Sequence, residues 1–210
     1  MTSTCKQQYL GQRRQGKGLN YTGFQVERVF RVENQDLWSG YAQERSRIMQ
    51  QGTRHPETQV STWRDWMEDE LLVDKASNEV FLFHGTSFNM ADVILTSGFD
   101  ERVCNLNGLF GAGIYLAENS SKSDEYCVPD SQGICRMFLV RSALGTPFVA
   151  QRSMQRARRP PTNSTGFLYD SVIGVTKETH PAALLEWYRE FIVYYRRQTY
   201  PEFLIEFKRV

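Results

Sequence analysis

The run Val80-Phe81-Leu82-Phe83, inside EVFLFHGTSF (residues 79–88), restricts the fold more than any other stretch. Consecutive apolar side chains cannot alternate between core and water, so they predict a strand buried on both faces. Such a strand needs structure packed against each side of it. It ends abruptly on His84-Gly85-Thr86. That is an ionisable ring followed by the residue type that lets a backbone come close to something else. What this strand end faces is the question the rest of the chain must answer.

A chain of 210 residues with 40% hydrophobic and 13% aromatic content can bury one sizeable core, which points to a single globular domain. A net charge of +1 gives no global reason to expect a nucleic acid or an anionic membrane surface. Two local runs are basic and free of acids, CKQQYLGQRRQGKG (5–18) and QRSMQRARRPP (151–161). Both read as solvated surface, with a phosphate or acceptor contact as the alternative. Cysteines at 5, 104, 127 and 135 have no C-x-x-C spacing and no neighbouring histidine, so neither zinc nor a disulfide scaffold is expected. No apolar segment suits a signal peptide or a membrane span. The expected location is intracellular, cytoplasmic or nuclear, with reduced thiols.

Residues 1–20 read as a polar, weakly ordered lead-in, and 21–210 as the folded domain. FQVERVFRVEN (24–34) predicts a strand with imperfect alternation. Asn34 can cap a helix whose Leu37, Trp38, Tyr41 and Ile48 share a face and which Gly52 ends. TWRDWMEDELL predicts a second helix, and NMADVILTSGF a third that stops at Gly98. GICRMFLVRSALG is strand-like. Two β-rich segments, 190–195 and 202–208, follow, split by a proline-containing turn. Strands outnumber helices after residue 78 without regular strand–helix alternation. That pattern predicts an α+β domain rather than a doubly wound parallel sheet.

GAGIYL (111–116) superficially matches a dinucleotide fingerprint, but its third glycine is replaced by Leu116 and it runs into a strand-like IYLA. It therefore reads as a flexible entry into a strand carrying Tyr115. In ENSSKSDEYC, Asn119 or Ser120 can cap a short helix that projects Ser123 and Tyr126 to one side. A hydroxyl beside an aromatic ring suits a planar amide, and Gly85 can offer backbone groups to the same amide. A helix cap beside a core tyrosine is the plainer reading of those two residues. Glu190 opens a strand whose apolar run, Phe191 to Val193, should be buried; by spacing alone that carboxylate is a solvated end residue.

Taken in order, LFHGTS, GFDERV, LFGAGIYLAENSSKSDEYC and REFIVYYRRQTYPEFLIEF resemble the catalytic domain of the poly(ADP-ribose) polymerases, the diphtheria-toxin-like ADP-ribosyltransferases. FGAGIY, AENSSKS and YPEFLI are most similar to tankyrases. The resemblance covers residues 79–208 and, more loosely, 24–50. It implies an ADP-ribosyltransferase fold of mostly antiparallel split β-sheets with short flanking helices. It also implies a His84-Tyr115-Glu190 triad. Gly85 and Ser123 would bond the nicotinamide carboxamide, Tyr115 and Tyr126 would stack on its ring, and Lys122 would lie near the glutamate. Thr86 and Gly113 complete the donor-binding set it implies. YCVPDSQGICRMF is too short for the zinc-binding insertion of tankyrases, so no metal is expected. Residues 1–78 are too short for an autoinhibitory helical subdomain besides the first strand and helix.

The implied reaction uses NAD+ as donor, releases nicotinamide and modifies protein acceptors, the chain itself among them. Residues 174–189 would form the acceptor-side loop. Polymer formation and single transfer are both open at this level. Rival readings are a non-catalytic NAD+ or ADP-ribose binding module, transfer to nucleic-acid ends, and a toxin-like transferase.

Overall fold

A computed structural model describes residues 1–11, 20–51 and 57–210. The helix stop at Gly52 and residues 12–18 of the first basic run lie outside the described residues. Two four-stranded sheets share one core. The first contains β1 (Phe24–Arg31), β8 (Thr199–Arg209), β4 (Cys135–Ala143) and β2 (Glu79–Thr86) in that order. The second contains β3 (Ile114–Leu116), β7 (Glu190–Val193), β6 (Ser171–Gly174) and β5 (Pro147–Ala150). Every pairing is antiparallel except β5 with β6. This is the α+β domain that the strand pattern predicts, in the split, mostly antiparallel arrangement that the resemblance implies.

β2 is covered on both faces, as its uninterrupted apolar run requires. Val80 and Leu82 enter the main core with Ile114, Leu116, Phe138, Phe191 and Val193 from both sheets. Phe81 packs the other way against Met67 and Val73, and Phe83 against Cys135, Met137 and Phe207. The two sheets meet where β2 ends. Phe83 and Ala117 exchange two backbone hydrogen bonds, of 2.7 and 2.9 Å.

Helix α1 (Gln35–Gln51) starts as expected, because Asn34 Oδ1 accepts the Leu37 N–H at 3.2 Å. Tyr41 and Ile48 are buried, but Trp38 stays at the surface with its edge on Tyr200. The expected second helix shortens to α2 (Trp66–Glu70), because Thr62 is drawn out of it to donate to the Phe81 carbonyl. Helix α3 (Phe88–Ser97) begins at a Ser87 cap and stops at Gly98, whose φ of +73° is left-handed. The imperfect alternation of β1 has a physical origin in a register shift between Val26 and Arg28. Val26, Val29 and Phe30 are exposed, since β1 is a sheet edge. The proline-containing turn expected between the last two strands is absent. The turn is a 3-10 segment at Arg196–Gln198, and Pro201 lies within β8 at the register shift between Leu139 and Arg141. A missing N–H is tolerated at such an irregularity.

The interior also holds charge. Arg141 is fully buried between Glu79 (3.3 Å) and Glu202 (3.1 Å), and it donates to the Leu71 carbonyl at 2.8 Å. The Tyr41 hydroxyl donates to Glu79 as well. Arg141→Met leaves two buried carboxylates short of a partner. It should cost about 3–5 kcal/mol, read as a large fall in thermal midpoint, whereas loss of an exposed pair such as Lys75–Glu68 should be nearly silent.

Candidate active site

The end of β2 is one wall of a cleft of roughly 390 Å³. All nine residues singled out in the sequence line it: His84, Gly85, Thr86, Gly113, Tyr115, Lys122, Ser123, Tyr126 and Glu190. Residues more than a hundred positions apart are brought together by three elements, the end of β2, the β3–β7 pair and helix α4 (Ser120–Asp124).

His84 Nδ1 lies 2.9 Å from the Tyr115 carbonyl. A carbonyl only accepts, so Nδ1 carries the proton and Nε2 is left as the acceptor position. The ring meets Phe99 edge-on at 4.9 Å. Burial lowers the His84 pKa, and the bond to Tyr115 opposes this only in part, so the ring is neutral at pH 7. The Tyr115 hydroxyl turns into the protein. It accepts the Phe110 N–H at 2.8 Å and donates to the Gly111 carbonyl at 3.0 Å, fixing the preceding loop and leaving the ring to form cleft wall.

Gly85 is dictated by contact. A Cβ there would stand 1.7 Å from the Ser123 carbonyl oxygen, because α4 lies directly on the strand end. Ser123 seals that contact by donating to the Phe83 carbonyl at 3.0 Å. A Cβ on Gly113 would meet Ile192 at 2.4 Å, so this glycine lets β3 close on β7. Two details differ from expectation. Asn119 precedes α4 without a side-chain capping bond, and its amide donates instead to the Thr4 carbonyl. Tyr126 lies beyond the helix, on the turn that follows it, and is half exposed.

Glu190 is buried rather than solvated. Lys122 Nζ sits 3.3 Å from Glu190 Oε1 and 2.8 Å from Glu125 Oε2. Burial alone would lower the lysine pKa, but Tyr126, Glu190 and Glu125 outweigh it and hold the ammonium above its ordinary range. Glu190 Oε2 is buried without a hydrogen-bond partner. A buried acceptor left open in this way is suited to a ligand donor. Sequence reasoning missed Glu125 and the outer wall formed by Met90, Val93 and the stretch from Phe99 to Asn105. GFDERV carries part of that wall.

Residues 4–180 match the family model of the poly(ADP-ribose) polymerase catalytic domain. The chain belongs to that family. Glu190 falls beyond the matched range, so its place rests on the geometry above. The protein mono-ADP-ribosyltransferase PARP12 of mouse is 30% identical over 190 residues, covering 90% of this chain and 25% of the relative. Human PARP12 is 29% identical, with 87% and 22% covered, and human PARP14, also a protein mono-ADP-ribosyltransferase, is 29% identical, with 89% and 9% covered. The chain thus spans about a quarter or less of these relatives. These comparisons show a likeness to the catalytic domain and to proteins named mono-ADP-ribosyltransferases; a particular likeness to tankyrases is not shown by them.

Among the described residues, no group of three or more His, Cys, Asp or Glu could hold a metal ion, and no helix is long and apolar enough to cross a membrane.

Gly85→Ala should force α4 off the strand end and abolish binding of nicotinamide-type ligands, read by calorimetry; a variant that binds normally would show the contact to be slack. A second expectation concerns acid. The folded pKa of His84 lies below the unfolded value of about 6.5, so below that pH the unfolded chain takes up a proton that the folded one refuses. Stability should therefore fall as pH drops through about 6.5, and His84→Gln should flatten that part of the profile in urea titrations.

Proposed function

We propose that this chain transfers ADP-ribose from NAD+ to a protein acceptor and releases nicotinamide. The observation that carries this reading is the buried Glu190 carboxylate, with one oxygen on Lys122 and the other open in a cleft shared with His84 and Tyr115. The nicotinamide ring would lie between Tyr115 and Tyr126, its carboxamide against Gly85 and Ser123. His84 Nε2 and the open Glu190 oxygen would accept from ribose hydroxyls. As the C1″–N bond breaks, the electron pair leaves with nicotinamide and C1″ gains oxocarbenium character. The fixed carboxylate stabilises that developing charge without reorganising. The acceptor nucleophile then bonds to C1″ and loses its proton. Thr86, Gly113 and Lys122 shape and charge the walls of the same pocket.

Single transfer is the favoured product, supported by the similar proteins being named mono-ADP-ribosyltransferases. Chain elongation is the second reading, supported by the retained Glu190 and by the tankyrase-like stretches FGAGIY, AENSSKS and YPEFLI. The family match begins at residue 4, inside the segment whose sequence reads as a lead-in.

Incubation with labelled NAD+ and a denaturing gel tests both readings. A sharp band identifies single transfer, a smear elongation, and no label with intact NAD+ binding a binding module. Glu190→Gln should cut transfer by about a hundred- to a thousandfold while keeping NAD+ affinity. Ser123→Ala should weaken nicotinamide-type inhibitors, and unchanged affinity would remove that residue from the pocket.

A further inference from the structure

The first ten residues do not trail into solvent. Thr4 is buried against α4, where its hydroxyl donates to Ser120 Oγ at 3.3 Å, and the Ser120 hydroxyl donates to the Met1 carbonyl at 2.8 Å. Two residues on, Lys6 does something unusual for a flexible surface lysine. Its backbone N–H donates to Ser121 Oγ on α4 at 3.0 Å. Its ammonium donates to the Trp187 carbonyl at 2.8 Å and lies 5.6 Å from the centre of the Tyr188 ring. Tyr9 then stacks on Trp187 at 4.9 Å and meets Tyr188 edge-on at 5.7 Å. A single residue therefore joins the helix that carries Lys122 and Ser123 to the segment that leads directly into Glu190.

The span matters because the Lys122–Glu190 contact of 3.3 Å crosses the same gap. The segment is also held by Arg189, which pairs at 2.6 Å with Glu118, just ahead of α4, and donates to the Gln59 carbonyl. The N-terminal segment adds a tie to α4 itself. Resting on the transferase reading above, we infer that Lys6, supported by the Tyr9–Trp187 stack, is a positioning residue: it clamps α4 to the start of β7 and so sets where the Glu190 carboxylate stands against the donor ribose. It touches no reacting atom. Its effect passes through the Trp187 carbonyl and the backbone of residues 187–190.

The test uses the full chain with Lys6→Met, which keeps the apolar stem and removes the ammonium, and Lys6→Arg, which restores a donor. In Lys6→Met the kcat for nicotinamide release should fall about tenfold, as a small misplacement of a preorganised group predicts, with the KM for NAD+ within about twofold of wild type. Lys6→Arg should recover most of the loss. A Lys6→Met chain with wild-type kcat overturns the clamp, and so does a loss that arginine fails to restore, because that would assign the effect to packing. Hydrogen exchange reads the clamp without catalysis: amides of residues 187–192 and of α4 should exchange faster in Lys6→Met, and unchanged exchange overturns the inference. If wild type itself releases no nicotinamide, the transferase reading fails, while the exchange result still decides the clamp.

Discussion

Everything at the cleft depends on one close approach, the seating of α4 on the end of β2. Gly85 permits it by having no side chain, and the Ser123 hydroxyl seals it on the Phe83 carbonyl. The same Phe83 backbone bonds Ala117 on its other side. One residue of β2 thus joins the two sheets and the helix. With that junction closed, His84 reaches the Tyr115 carbonyl and Lys122 reaches Glu190. A methyl group at position 85 would hold all of these apart.

Electrostatics then decide what the closed junction can do. Lys122 lies between the carboxylates of Glu125 and Glu190, buried with Glu190 while Glu125 is only partly covered. Removing these charges from water is costly, and the group is tolerated because each charge has an opposite neighbour. The arrangement leaves one Glu190 oxygen unpaired inside the cleft. Elsewhere the same physics serves architecture alone. Arg141 ties β2, β4 and β8 through Glu79 and Glu202 at the opposite end of β2 from His84. The strand therefore carries a buried acid at its start and a site histidine at its finish, with four apolar residues between them holding both sheets.

Much of this was legible in the residues. The run Val80 to Phe83 announced a doubly covered strand, Asn34 a helix start, and Gly98 a stop. Of the nine cleft residues, His84, Gly85, Ser123 and Tyr126 carried a local signal, as a histidine at a strand end, a glycine beside it, or a hydroxyl beside an aromatic ring, whereas the roles of Thr86, Gly113, Tyr115, Lys122 and Glu190 came only from the family resemblance. What was not legible depends on partners distant in sequence. Glu190 reads as a solvated strand end until Lys122 is placed beside it. Thr62 leaves its helix only because the Phe81 carbonyl is within reach. Pro201 reads as a turn residue until the register of β4 against β8 provides a slot without a ladder bond. The N-terminal segment reads as a polar lead-in, since nothing local shows that Lys6 and Tyr9 meet Trp187 and Tyr188.

The sequence by itself determined the class of the chain, the buried strand at its centre and the kinds of groups available for chemistry. These follow from side-chain polarity and backbone freedom, which each residue carries wherever it stands. Only the tertiary structure decided which groups meet, which carboxylate is buried and which oxygen stays open. Those are properties of distance and desolvation between elements, and they arise only when β2, α4 and β7 close on one another.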